Sequence, residues 1–229
     1  MNVETRMSFR RVLIPLALAL VAARCSDQVG PPSVAVQQPH FLRWAGSAPP
    51  QFTAIGALPG RGRHGGLTAS QAGGLSLNHY TAAFWAVRGE ERSVQINYVS
   101  ATGDTSWQFL RLTTTDPAYV PGVGDLAPGD SVLITVTIDP YTVKVSLEPT
   151  GLVFGDPAQL EISYGGADGD LNGDGVVDDA DAYIESQLLG LWYREGADSD
   201  WERIPAVESL ANKSFTSELP HFCEYAVSW

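Results

Sequence analysis

Six aspartates fall within residues 168–181, with no basic side chain among them. A hard dication such as Ca²⁺ takes six to eight oxygen ligands at about 2.3–2.6 Å, and a twelve-residue loop can present them from positions 1, 3, 5, 7, 9 and 12. With Asp170 at position 1, Asn172 falls at 3, Asp174 at 5, the Val176 carbonyl at 7, Asp178 at 9 and Asp181 at 12. Gly175 then occupies position 6, where the chain must turn sharply. A rival frame from Asp168 meets the same loose pattern but puts Gly175 at position 8, where it can anchor nothing; the first frame puts Val177 there, a side chain expected to be pinned in the core. Carboxylates this dense repel one another unless a cation neutralises them. Calcium is therefore the expected cofactor, in a structural role, since every ligand position is filled and no nucleophile or base stands nearby.

Other candidates for chemistry carry less. His221 and Cys223 lie two apart on an expected strand over 222–229 and its approach, so a thiol beside an imidazole is a conceivable nucleophile pair, but no third group orients it. The other histidines, at 40, 64 and 79, show no metal-ligand spacing, and no Gly-x-Ser-x-Gly elbow occurs. The run Gly60-Arg61-Gly62-Arg63-His64-Gly65-Gly66 lacks the strand and helix that flank a phosphate cradle and reads as a link. Of the six tryptophans, Trp192 and Trp201 flank a polar loop and form the pair to consider for stacking on a sugar; packing is the commoner use of such rings. The chain is expected not to be an enzyme.

The elements that must position the loop are strands. Period-2 alternation of β-branched and aromatic residues marks 82–88, 93–100, 107–113, 131–138, 143–147, 158–164, 191–194, 201–204 and 222–229. Turn chemistry separates them, as at Gly89-Glu90, Pro128-Gly129-Asp130 and Gly155-Asp156-Pro157. In 131–138, Val132, Ile134, Val136 and Ile138 share one face, the pattern of a strand buried on one side. One helix is expected over 180–189, with Ile184, Leu188 and Leu189 as its apolar stripe and Gly190 as its stop. The fold class is thus mainly β: an antiparallel β-sandwich over 80–229, with a calcium loop and one short helix inserted at 168–190.

The chain has 229 residues, a formal net charge of −12, 23 Gly and 15 Pro, which fits turns and short strands better than a helical bundle. Only two Lys accompany twelve Arg, so no basic face for a nucleic acid is expected. Arg6, Arg10 and Arg11 precede an apolar run from Val12 to Ala23, the pattern of a bacterial export signal over 1–24. Twelve apolar residues span about 18 Å as a helix, short of the roughly 30 Å hydrocarbon core. Two cuts are compatible: after Ala23, giving a secreted chain, or before Cys25, where Ala22-Ala23-Arg24-Cys25 is similar to a lipoprotein box and Cys25 would carry a lipid. Residues 25–79, rich in Gly and Pro, read as a tether in which 41–44 and 51–55 are possible short strands that dock on the domain. A bridge from Cys25 to Cys223 is possible, but a lone Cys25 and a half-buried Cys223 fit better.

Two resemblances add to this reading. The loop followed by Ala182-Tyr183-Ile184-Glu185-Ser186-Gln187-Leu188-Leu189-Gly190 resembles one calcium repeat of the type I dockerins, a likeness that implies calcium and, by analogy, docking to a cohesin-type partner. The segment Pro149-Thr150-Gly151-Leu152-Val153-Phe154-Gly155-Asp156-Pro157-Ala158-Gln159-Leu160 and the closing His221-Phe222-Cys223-Glu224-Tyr225-Ala226-Val227 resemble the β-sandwich domain of netrin receptors, ankyrins and zonula occludens proteins and its exported bacterial relatives. This second likeness implies an adhesive or structural module. The expected function is an exported, surface-attached, calcium-stabilised sandwich that meets a protein or polysaccharide at the cell surface and touches a membrane only through a lipid on Cys25. The alternative is a dockerin-like or carbohydrate-binding module of an extracellular complex.

Overall fold

Alternating burial along the strands dictates two facing sheets. In the strand Ser131–Ile138, Val132, Ile134, Val136 and Ile138 are buried while Leu133 faces outward, as the alternation requires. The computed structural model describes residues 39–46, 48–56, 75–77, 80–99 and 106–229. Within them lie fifteen strands: β1 Gln51–Gly56, β2 Leu75–Ser76, β3 Thr81–Val87, β4 Arg92–Val99, β5 Ser106–Thr114, β6 Pro117–Val120, β7 Gly124–Asp125, β8 Ser131–Ile138, β9 Lys144–Glu148, β10 Val153–Ser163, β11 Gly190–Arg194, β12 Glu202–Arg203, β13 Val207–Ser209, β14 Ser214–His221 and β15 Glu224–Ser228. The larger sheet runs β13-β14-β10-β5-β4-β1-β2, with β6 and β7 attached to β10, and the smaller runs β12-β11-β15-β9-β8-β3. All pairings between these strands are antiparallel, and the two inner faces enclose one apolar core. No helix among the described residues is long and apolar enough to cross a membrane.

Several expectations need correction. The turn expected at Gly155-Asp156-Pro157 lies inside β10, where the pairing register to β14 shifts between Val153 and Ala158. Such an irregularity accommodates a proline, which cannot donate to the ladder. Asp116 fills the space where a Cβ on Gly155 would sit. The strand expected over 222–229 is shorter, since Phe222 and Cys223 form the corner between β14 and β15. Strand β14 itself has no counterpart among the expected strands, because Ser214, Thr216, Ser217, Glu218 and Pro220 dilute its apolar signal. Yet every second side chain of β14 from Phe215 to Leu219 is buried. The expected helix is a short α-helix, α1, Asp179–Tyr183, that widens into a π-helical turn, Ile184–Leu188. The wider turn donates Leu189 N–H to the Ile184 carbonyl at 3.0 Å and lets both side chains enter the core. Gly190 then starts β11 rather than capping a helix, and a Cβ there would collide with the Arg203 guanidinium.

Residues 39–46 and 48–56 are part of the sandwich. Leu42, Trp44 and Phe52 are buried, and β1 pairs along its whole length with β4. The Trp44 ring packs against Phe52, Tyr98 and Phe109, and its indole Nε1 donates to the Asp139 carbonyl at 2.8 Å. Asp139 in turn closes the β8–β9 connection: its Oδ1 accepts the amides of Tyr141 at 2.8 Å and Thr142 at 2.9 Å, and Oδ2 lies 3.3 Å from Lys144 Nζ. Burial alone pushes this carboxyl upward, but the two amides and the Lys144 ammonium prevail and hold it below the ordinary carboxylate range.

A depressed carboxyl stabilises the fold above its unfolded pKa, and that stability is lost as pH falls through the folded value. Asp139→Asn, which keeps one acceptor oxygen but loses the charge, should therefore cost about 1 kcal/mol at neutral pH, the net scale of one intramolecular hydrogen bond. Denaturant melts of both proteins should show the gap constant above about pH 5 and narrowing below about pH 4. A gap that stays constant down to acid unfolding would contradict this account of Asp139.

Candidate metal centre

The oxygen-rich segment lies where the chain leaves β10 of the larger sheet and has yet to join β11 of the smaller one. Its first residues are fastened to the incoming N-terminal segment: Ala45 N–H donates to the Gly166 carbonyl at 3.0 Å and Asp168 N–H to the Arg43 carbonyl at 2.9 Å. Leu171 is buried, and its carbonyl accepts the Trp229 indole Nε1 at 3.2 Å. Trp229 stacks on His40 with ring centroids 4.8 Å apart, and the two residues also exchange backbone hydrogen bonds. The loop therefore leans on the first and last parts of the described sandwich together.

Within the loop, two carboxylates organise the backbone. Asp170 Oδ1 accepts the amides of Gly173 at 2.8 Å and Asp174 at 3.1 Å, and its Oδ2 accepts that of Gly175 at 2.7 Å. Asp168, by contrast, accepts only Asp170 N–H at 3.4 Å. The winding uses Gly173 at φ +76° and Gly175 at φ +91°, a region other residues rarely adopt. Asp181, only 3% exposed, ties the two ends of the loop together: Oδ1 accepts Leu171 at 2.7 Å and Asn172 at 3.2 Å, and Oδ2 accepts Asp178 at 2.9 Å. With Asp178 Oδ1 accepting Ala180 N–H at 2.8 Å, Asp178 and Asp181 form a capping box on α1. The Asp178 amide, followed by those of Asn172 and Leu171, outweighs burial and holds the Asp181 carboxyl below its ordinary range.

The expected anchor at Val177 is corrected. Val177 is 69% exposed, with its methyl groups beside Gly169, whereas Leu171, at position 2, is buried. The inner half of the loop faces Trp229, and this is why the anchor sits there rather than at position 8.

The donor set of Asp170, Asn172, Asp174, Asp178, Asp181 and the Val176 carbonyl is all oxygen, the kind calcium takes. Asp170 Oδ2 and Asp181 Oδ2 each accept one amide and keep a lone pair for a further partner. In chemical kind the residues present fit a calcium ion. Among the described residues, however, no three His, Cys, Asp or Glu side chains are gathered closely enough to hold a metal, because the carboxylates face backbone amides.

The other candidates do not assemble. Cys223 is 1% exposed, and burial, with Glu195 and Glu224 nearby, pushes its thiol up to about 12, so the nucleophilic thiolate is scarce near neutrality. His221 Nε2 faces Glu195 Oε1 at 3.4 Å instead of the thiol. Trp192 is buried and donates Nε1 to the Ser228 carbonyl at 3.1 Å. Trp201 is held between Arg194, whose guanidinium lies 5.0 Å from the ring centroid, and Phe41. The expected pair thus forms no open sugar platform. Cys25, the export signal over 1–24 and the link at 60–66 lie outside the described residues. Sequence reasoning missed the Trp229 contact, whose only signal was a terminal aromatic after an apolar strand. Comparison of the chain with protein-family models, with curated proteins and with solved structures finds no match.

Asp181 separates from its neighbours by mutation. Both its oxygens face amide donors, so either orientation of an asparagine amide sets N–H against N–H. With chelator present, so that no metal contributes, Asp181→Asn should lower the melting temperature by several degrees. Asp168→Asn, which gives up one long contact, should move it by about a degree or less. Equal shifts in the two variants would remove Asp181 from the centre of the loop.

Proposed function

We propose that this chain is an exported, surface-attached β-sandwich module, stabilised by calcium bound in the loop from Asp170 to Asp181, with a structural or adhesive and non-catalytic role. The observation that supports it most is the placement of an all-oxygen, twelve-residue loop between the two sheets, leaning on residues 40–45 and Trp229. In that place a cation would draw together carboxylates that otherwise repel one another and would brace the corner where the described chain begins and ends. Asp170, Asn172, Asp174, Asp178, Asp181 and the Val176 carbonyl would hold it. What the ion supplies is neutralisation, while Leu171 and Trp229 carry its effect into the core. Export and surface attachment rest on residues 1–24 and on Cys25, and the module's kinship with dockerin repeats and with the netrin-receptor type of sandwich rests on sequence resemblance alone.

One observation favours a second reading, a docking module. Val176, Val177 and Tyr183 are 57%, 69% and 59% exposed beside the loop, an apolar surface of the kind a cohesin-type partner would cover.

Binding to the folded state alone raises stability by about 2.7 kcal/mol at a hundred times Kd. Saturating calcium should thus raise the melting temperature by roughly 5–10 °C over the chelated protein, given about 2–4 °C per kcal/mol at this size. Asp170→Asn/Asp174→Asn should abolish the difference. Identical melts with calcium and with chelator would refute the calcium part, and a mature N-terminus found by mass spectrometry to be unprocessed would refute export.

A further inference from the structure

At one edge of the sandwich the two sheets part. Strand β14 of the larger sheet lies across from β11 and β15 of the smaller one, and a groove of about 680 Å³ opens between them. Leu219 and the Tyr225 ring are buried against it, while Tyr193, Ile204 and Val207 form its walls.

The groove contains an unfinished strand edge. Strand β13 pairs with β14 only from Ser214 to Thr216, in the register Val207↔Thr216, Glu208↔Phe215 and Ser209↔Ser214. Residues 217–221 of β14 have β10 on one side and no strand on the other. The chain that would continue β13 touches this edge where the Pro205 carbonyl accepts the Ser217 hydroxyl at 2.8 Å, and joins the smaller sheet at Ile204, whose N–H donates to the Leu191 carbonyl at 2.9 Å. An open edge of this kind is a template for an added strand.

The charge around the groove names the class of strand. No Lys or Arg lines it, whereas Glu218 does. Two more carboxylates hold lining side chains: Glu195 at 3.4 Å from His221 Nε2, and Glu202 Oε2 at 3.3 Å from the Tyr193 hydroxyl. The arginines next to these residues in sequence are already engaged, Arg194 with Glu224 and Arg203 with the Leu189 carbonyl. A second copy of this chain would bring its own carboxylates and a net charge of −12 to an acidic edge.

We propose that this groove accepts an extended, basic peptide segment of a partner protein, added as a strand beside residues 217–221 of β14. Its apolar side chains meet Tyr193, Ile204 and Val207, and its Lys or Arg side chains meet Glu195, Glu202 and Glu218. The inference goes beyond the adhesive reading by naming a partner chemistry, and it requires neither calcium nor export.

The test uses the full chain and a fluorescent peptide of about seven residues alternating valine and lysine, followed by anisotropy with calcium and with chelator. The lysine peptide should bind in both conditions, and its glutamate counterpart at least tenfold more weakly. Glu195→Lys/Glu218→Lys changes two exposed side chains, so circular dichroism should stay as it is while affinity for the lysine peptide falls at least tenfold. Methylating the backbone nitrogens of one alternate set of peptide residues should abolish binding, and methylating the other set should leave it within about twofold. No binding, equal binding of both peptides, or indifference to methylation of both sets would overturn the proposal. So would a dimer in sedimentation that the peptide fails to compete with. Binding lost with chelator would overturn it as well, since the proposed contact requires no calcium.

Discussion

Six carboxylates within fourteen residues, with no basic side chain among them, have to be held together on the path by which the chain passes from one sheet to the other. That constraint governs this end of the molecule. The repulsion is met first by the backbone: Asp170 and Asp181 each collect three amides, and dipoles aimed at a carboxylate stabilise its charge without any cation. It is met next by packing, since Leu171 is buried and Trp229 donates to its carbonyl. The loop, the C-terminal strand and residues 40–45 form one mutually dependent corner, in which removing any member exposes polar backbone that the others cover. A bound calcium ion would act on an arrangement that already has its organising contacts.

The rest of the sandwich rests on ordinary burial, and the comparison of magnitudes shows where its strength lies. Lys213 Nζ and Glu185 Oε1, 2.9 Å apart, link the β13–β14 turn to the π-helical turn, but Lys213 is half exposed and such a pair contributes at most about 1 kcal/mol. Burial of a single Leu or Phe contributes about 1.5–3 kcal/mol, and both Ile184 and Leu189 are buried from that same turn. Apolar contact therefore fixes the helix, and the ion pair only trims it. The weak places are the ends of sheets: β12 and β2 have two residues each and β13 three, too short to cover a full neighbour. At β13 this shortness has a consequence, because it leaves the C-terminal part of β14, residues 217–221, without a strand on one side.

How much was legible in the sequence follows from which physical signal each element carries. The alternation of β8 is unmixed, and its bounds and buried face were readable residue by residue. Strand β14 was not readable, because its outward positions hold Thr216, Glu218 and Pro220 and its inward ones include Ser217, so burial there is decided by neighbouring strands. Asp156 and Pro157 look like a turn because local propensity says so, and the long pairing of β10 with β5, β6 and β14 overrides it. The loop was legible as an oxygen-rich sequence with Gly175 at its bend, yet its anchor was not. The choice between Leu171 and Val177 depends on Trp229, 58 residues away from the former, and no local pattern reports a contact at that separation.

That same contact offers the most direct measurement of the central claim, that the loop binds a hard divalent ion. A terbium ion takes oxygen ligands as calcium does and emits when a nearby tryptophan passes energy to it. Excitation of the protein should give sensitised terbium emission that saturates at one ion per chain and is displaced by calcium. The emission should fall in Trp229→Phe and vanish in Asp170→Asn/Asp174→Asn. Emission that never rises above that of free terbium, or that persists unchanged in the double variant, would contradict the account.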